Sequence, residues 1–134
     1  MIGVNTIKFI RSLRLKKNRL LVKKVILEGF RLICESINAG IKIDYIIVIE
    51  NFESDLLNQK KFRNQSIKYC SKNNFHKISD TKNSQGIIAV ADIKKYSNQS
   101  LDGIKNNNLV VLDGIQDPGN LGAIMRTSVW YGVN

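Results

Sequence analysis

The 134-residue sequence is poor in cysteine, nearly free of proline and without a long apolar run. Its two cysteines, Cys34 and Cys70, lie far apart and form no CxxC. They build neither a disulfide framework nor a zinc site, and no metal is expected. Cys34 falls on the apolar face of a candidate helix, where a thiol is a small buried hydrophobe, and a reducing cytoplasm is the expected compartment. No apolar stretch approaches the roughly 20 residues that cross a bilayer, so no membrane partner is expected. The N-terminus, MIGVNTIKFIRSLRLKKNRL, has no apolar h-region and no small-residue cleavage site. That sets aside a secretory signal and leaves a mitochondrial-type presequence as a lesser reading.

Acidic residues are missing from one stretch in particular. Lys8, Arg11, Arg14, Lys16, Lys17, Arg19, Lys23 and Lys24 follow one another with no acid between them. Residues 107–134 carry only Asp113, Asp117 and Arg126, a net of −1, so the overall charge of +10 belongs to the front of the chain. A polyanion is the simplest partner for such a run, because each phosphate contact releases condensed counterions. A solvated basic face without a ligand is the bland alternative, and an anionic membrane surface a weaker one.

What is present reads as α/β. Residues 5–14 suit a short helix with Ile7, Ile10 and Leu13 inward, followed by a basic loop or helix end at Lys16-Lys17-Asn18-Arg19. Val25-Ile26-Leu27 suits a strand. Phe30, Ile33, Cys34 and Ile37 recur at the spacing of one helical face, and Gly40 is free to end that helix in a left-handed conformation. Residues 45–49 and 86–91 are apolar runs that suit strands covered on both faces. Weaker signals give a helix within residues 51–61, a strand at 67–70 and a helix at 72–78. The alternation argues a largely parallel sheet. Polar residues 94–108 read as a linker, and residues 109–112 as one more strand.

That last strand leads into Asp113-Gly114-Ile115-Gln116-Asp117-Pro118-Gly119-Asn120, and a helix is expected over about residues 121–131. A loop that leaves a strand's carboxyl end and enters a helix is where open α/β sheets bind ligands. Asn120 is a good N-cap type. Leu121, Ile124, Met125 and Ser128 share one face. Arg126 leans back over Gly122 and Ala123, which are too small to obstruct it. Asn120 and Arg126 can thus present a carboxamide and a cationic fork to a phosphate or a ribose hydroxyl, or they can be an ordinary cap and a surface arginine.

The stretch DGIQDPGNLGAIMRTSVWYGV closely resembles the first motif of the SpoU (TrmH-like) RNA ribose 2′-O-methyltransferases of the SPOUT superfamily. Upstream, KKVILEGFRLICESINAG and NSQGIIAVADI resemble two phrases of that family's substrate-binding domain, in the same order. Asn83-Ser84 stands where Ser/Thr-Pro is common, the one minor departure. The resemblance implies an L30e-like three-layer RNA substrate-binding domain at residues 1–92 and a linker at 93–106. Residues 107–134 would open an α/β-knot methyltransferase domain, incomplete in this chain. It implies Arg126 and Asn120 as catalytic residues, and Glu28, Gly29, Arg31, Gln85 and Gly86 as the matches to the other phrases. Turn chemistry is the bland reading for Glu28 and Gly29. RNA contacts are expected at Arg11, Arg14, Lys16, Lys17, Arg19, Lys23, Lys24 and Arg31. S-adenosylmethionine would be the methyl donor of the full-length protein. Its knotted site is expected C-terminal to Asn134, so the chain alone is expected to be inactive. The substrate would be rRNA or tRNA, and the full-length protein a homodimer.

Two other readings stand beside this one. A non-catalytic RNA-binding module of the L30e type needs only the first domain. A phosphate-binding enzyme is disfavoured by the lack of a Walker sequence or a GxGxxG. The basic run makes the first measurement plain: RNA should bind this chain with an affinity that falls steeply as salt is raised. Salt-independent binding in a filter or anisotropy titration would contradict an electrostatic footprint.

Overall fold

The computed structural model describes residues 1–81, 83–93 and 108–133. Its contacts divide the chain into two units, Met1–Lys95 and Tyr96–Asn134. The first unit is a four-stranded sheet with helices on both faces. Its elements are α1 (Val4–Ser12), α2 (Lys16–Val22), β1 (Lys24–Glu28), α3 (Phe30–Asn38), β2 (Ile43–Ile49), α4 (Ser54–Leu57), a 3₁₀ turn at Lys60–Phe62, β3 (Ile67–Cys70), α5 (Lys72–Ile78) and β4 (Ile87–Asp92). The strand order is β1-β4-β2-β3.

Side chains alternate across the two central strands and so feed two cores. Ile47 of β2 and Ile88 and Val90 of β4 pack with Ile7, Ile10 and Leu13 near α1 and with Phe75 and Ile78 of α5. Ile46 and Val48 of β2 and Ile87 and Ala89 of β4 pack with Ile33 and Cys34 of α3 and with Phe62. This is why both apolar runs lack polar alternation. The three expected inward residues of the first helix are buried, as are both cysteines.

Several expectations are corrected. The sheet is not largely parallel: only β2–β3 is parallel, while β4 runs antiparallel to both β1 and β2. Apolar runs report burial on two faces and do not encode strand direction. Of the two readings of 16–19, the loop falls and the helix end stands: these residues are the first turn of α2. Residues 51–61 hold two short pieces, α4 and the 3₁₀ turn, in place of one helix. The proposed linker falls outside the described residues except for Ile93 and Asn108.

Helix α3 ends as its sequence requires. The Gly40 N–H donates to the Ile37 carbonyl and the Ile41 N–H to the Ser36 carbonyl, with Gly40 at φ +68°. This is a Schellman closure, which spends two orphan carbonyls on a left-handed residue. At the sheet's end, Lys24 bridges Asp44 and Asp92, with Asp44 Oδ2 at 2.6 Å. Asp44 is the extra residue of a bulge between Ile43 and Tyr45. The bulge re-aims its carboxylate across the sheet, as bulges do.

The second unit contains one described helix, α6 (Pro118–Trp130). Residues 109–112 are not a strand, because no described segment pairs with them. An isolated extended segment has no ladder to satisfy its backbone. Val110 instead joins Ala123, Ile124, Thr127, Ser128 and Tyr131 in lining a shallow groove on α6. Of the expected inward face, Ile124 and Ser128 are half-buried, whereas Met125 is 59% exposed.

Gly86 combines φ +76° with an added-Cβ position only 2.7 Å from Ile49 Cδ1. Gly40 has a similar φ but nothing within 4 Å of the added atom. Gly86→Ala should therefore cost more stability than Gly40→Ala, about 2–4 kcal/mol against about 1. Urea denaturation midpoints of the two variants measure the difference, and equal losses would remove the steric part of the account.

Candidate functional site

The basic segment divides into two classes once folded. Some of its charges are used by the fold itself. Arg19 Nη1 donates to the Leu13 and Arg14 carbonyls at 3.0 and 2.7 Å, and Asn18 Nδ2 to the Ser12 carbonyl at 2.9 Å. These donors satisfy carbonyls at and just past the C-terminal end of α1, which have no helical partner. Arg14 reaches the other way: its Nε lies 2.7 Å from Asp80 Oδ1 and its Nη2 donates to the Ser79 carbonyl at 2.9 Å. Lys24 is held between two carboxylates, led by its hydrogen bond to Asp44, and its pKa is raised. Arg31 pairs with Glu35 one helical turn on, at 2.9 Å. The side chains of Lys8, Arg11, Lys16, Lys17 and Lys23 are exposed and have no ion pair among the described residues. They are the part of the run with cationic groups free for a phosphate backbone.

Glu28 gathers the opposite end of the sheet. It ends β1, and its Oε1 accepts from the Ser79, Thr81 and Ser84 hydroxyls at 2.5, 2.7 and 2.8 Å. Its Oε2 accepts from the Asp80 N–H at 3.0 Å. Burial pushes the carboxyl pKa up. The hydrogen bonds from Ser79, the Asp80 N–H, Thr81 and Ser84 outweigh that and hold it below the usual 4.5. The next residue, Gly29, sits at φ +105°. Gln85 Oε1 then accepts the Phe30 N–H at 2.9 Å, capping α3 from a residue far along the chain. Turn chemistry is thus what Glu28, Gly29 and Gln85 perform here. Residues 79–81 and 84–86 are tied by these bonds to β1, to the start of α3 and to the turn after α1.

Beside that cap lies an open cavity of about 440 Å³, lined by Phe30, Ile49, Asn51, Phe52, Glu53, Leu56 and Gln85. Sequence reasoning did not find it. Its residues come from three separated segments, and only Phe30 lies on a regular periodicity.

In the second unit, α6 begins one turn earlier than expected. Asp117, not Asn120, is the N-cap: its Oδ1 accepts the Asn120 N–H at 2.7 Å. Pro118 follows at the first helical position, where its missing N–H and fixed φ cost nothing. Asn120 therefore stands in the first turn with its side chain exposed. Arg126 is also exposed, and its Nη1 lies 3.4 Å from where a Cβ on Gly122 would stand. The guanidinium folds back along the helix toward the loop, over a residue with no side chain. Glycine also matters at Gly119, whose added Cβ would come within 3.0 Å of Asp117 Oδ1, the capping atom. At the far end Gly132, at φ +74°, closes the helix through a second Schellman pair to Ser128 and Val129.

The signature of the MRM3-like substrate-binding domain matches residues 5–89. The chain belongs to that family. A relative from Haemophilus influenzae, named 23S rRNA (guanosine-2′-O-)-methyltransferase RlmB, is 36% identical over 78 residues, covering 54% of this chain and 32% of its own length. A solved TrmH-family RNA methyltransferase from Porphyromonas gingivalis is 27% identical with a TM-score of 0.69, covering 100% of this chain and 51% of that one. An rRNA methyltransferase from Sinorhizobium meliloti, described as AdoMet-bound, shares the fold at a TM-score of 0.66 and 22% identity over 99% of this chain and 51% of its own. The chain thus spans about a third of that curated relative and about half of each of these structures. The resemblance to SpoU/TrmH RNA methyltransferases stands, and it is these relatives that are named for RNA methylation.

The Glu28 cluster generates a pH prediction. Because folding lowers this carboxyl's pKa, its stabilisation is complete above 4.5 and is lost as pH falls through the lower folded value. Glu28→Gln should cost about 1–3 kcal/mol at neutral pH. The gap between parent and variant should shrink once pH drops below the ordinary carboxyl value. A gap independent of pH in denaturation curves would mean that charge is not what the four donors hold.

Proposed function

We propose that this chain serves an RNA ribose 2′-O-methyltransferase. Residues 1–92 act as an L30e-like domain that holds rRNA or tRNA, and residues 107–134 form part of the methyl-transfer half. Support for the first role comes from the free cations Lys8, Arg11, Lys16, Lys17 and Lys23, which can neutralise phosphates without breaking any contact of the fold. Arg14, Arg19 and Lys24 act instead as positioning residues that shape this surface, and Arg31 adds a cation at the far edge.

One observation supports the second role above others: the Arg126 guanidinium lies back over Gly122, aimed toward the Asp117-capped loop. A guanidinium is cationic at all physiological pH and is a poor base. Its contribution is therefore electrostatic. Fixed positive charge beside a ribose 2′-hydroxyl stabilises the alkoxide character that develops as the oxygen attacks. Asn120, nearly two turns nearer the loop, offers a carboxamide that can orient the same ribose. S-adenosylmethionine supplies the methyl group when bound. The described residues of the second unit do not build its holder: the grooves on α6 are lined by Val110, Ala123, Ile124, Thr127, Ser128, Tyr131 and Val133, and by Met125, Arg126, Val129 and Trp130, with no carboxylate among them to take ribose hydroxyls or an ammonium. No step is assigned to this chain through that group. The proposal extends to a cytoplasmic location and to a homodimer of the complete protein. A purely RNA-binding module has no specific observation in its favour.

In the complete protein, Arg126→Ala should lower methyl transfer to RNA by about 100-fold or more while RNA affinity stays unchanged. Single-turnover transfer of labelled methyl groups measures the first and filter binding the second. Turnover within a few-fold of the parent would remove Arg126 from the chemistry.

A further inference from the structure

The cavity beside α3 has the chemistry of a nucleobase receptor. We propose that it takes one unstacked base of the bound RNA, with a preference for guanine; this rests on the RNA-binding reading above. Its volume of about 440 Å³ lies within the range of about 300–1,000 Å³ typical of small-molecule sites. Its walls are aromatic and apolar: Phe30, Phe52, Ile49 and Leu56. Its polar groups are two carboxamides, Asn51 and Gln85, and one carboxylate, Glu53. A flat apolar body with a donor and acceptor edge fits that set, and single-stranded RNA is read by aromatic stacking plus hydrogen bonds to exposed base edges.

The cavity is organised before any ligand arrives. Phe30 is fixed at both ends: its N–H bonds Gln85 Oε1 at 2.9 Å, and its ring stacks on the buried Phe62 at a centroid distance of 5.6 Å. Ile49 is held close against Gly86, which has no side chain to displace it. The polar groups are by contrast unspent. Gln85 uses its oxygen on Phe30, and its two amide N–H donors make no hydrogen bond among the described residues. The side chains of Asn51 and Glu53 make no hydrogen bond or ion pair among the described residues. A carboxylate is acceptor-only, and two oxygens side by side match two adjacent N–H donors. Guanine alone of the four bases presents two, its ring N1–H and its 2-amino group, on one edge. Uracil offers a carbonyl on either side of its N–H and would meet Glu53 with repulsion. Next along α3, Arg31 is exposed and held only by Glu35 in an i, i+4 pair of the kind worth a few tenths of a kcal/mol. It can exchange that partner for the phosphate of the bound nucleotide.

The test is a titration of the ¹⁵N-labelled chain with the 5′-monophosphates of guanosine, adenosine, cytidine and uridine, with ribose 5-phosphate as the base-free control. Guanosine monophosphate should give saturable shifts at the Phe30 backbone amide and the Asn51 and Gln85 side-chain amides, and should bind tightest. Phe52→Ala should weaken it at least fivefold, the low end for loss of base–aromatic stacking. Glu53→Gln should keep nucleotide binding and lose the preference for guanosine, with an otherwise unchanged spectrum as proof of folding. No saturable shift, equal shifts with ribose 5-phosphate, or guanosine and uridine bound alike would each overturn the proposal. Salt-dependent RNA binding that survives with no nucleotide response would leave the basic surface standing and remove the pocket alone.

Discussion

One carboxylate organises one end of the first unit. Glu28 ends an edge strand, where water could solvate it, yet its four hydrogen bonds come from a loop more than fifty residues later in sequence. Those bonds place Gln85 at the start of α3 and fix the path into β4. Arg14, in the turn between α1 and α2, holds the same loop through Asp80 and Ser79. The loop thus serves as a brace between helices and sheet. The cavity takes its Gln85 wall from this loop, while its Phe30, Ile49 and Phe52 walls are held by packing against the cores.

The division of labour among the cations follows from the same economy. A run of eight basic residues looks uniform in sequence, but carbonyls at a helix end and isolated carboxylates draw particular members of it inward. Arg19 is suited to that because one guanidinium nitrogen, Nη1, carries two N–H donors and serves both carbonyls. Lys16 and Lys17, on the solvent side of α2, find no such partners. Charge counts alone overstate how much of a basic segment is available to a polyanion.

Much of the architecture was legible because it depends on local chemistry. The periodicity of Phe30, Ile33, Cys34 and Ile37 located α3, Gly40 located its end, and the run at 86–91 located the most buried strand. Strand direction was not legible, since Ile87–Asp92 reads the same whichever way it runs. The cap of α6 was placed three residues late, because Asn120 and Asp117 are both good capping types and only the proline between them decides. Glu28 was legible as a turn residue and Gln85 only as a member of a motif; the partners of both were not legible, because they lie 51–56 residues away. Phe52 and Glu53 carried no signal of a site, since a cavity assembled from three separated segments has no period.

The position of β4 in the sheet governs how this unit can be made. It is the last strand of the first unit to leave the ribosome, yet it lies between β1 and β2 and pairs with both. Until it emerges, β1 has no neighbour and the nascent chain can close only the parallel β2–β3 pair. Half-built sheets expose unpaired backbone and apolar faces, a state that invites aggregation. Completion is therefore a late event set by long-range contacts, which is slow in folding terms. A chain of this design spends its synthesis unfinished and gains its structure in one closing step.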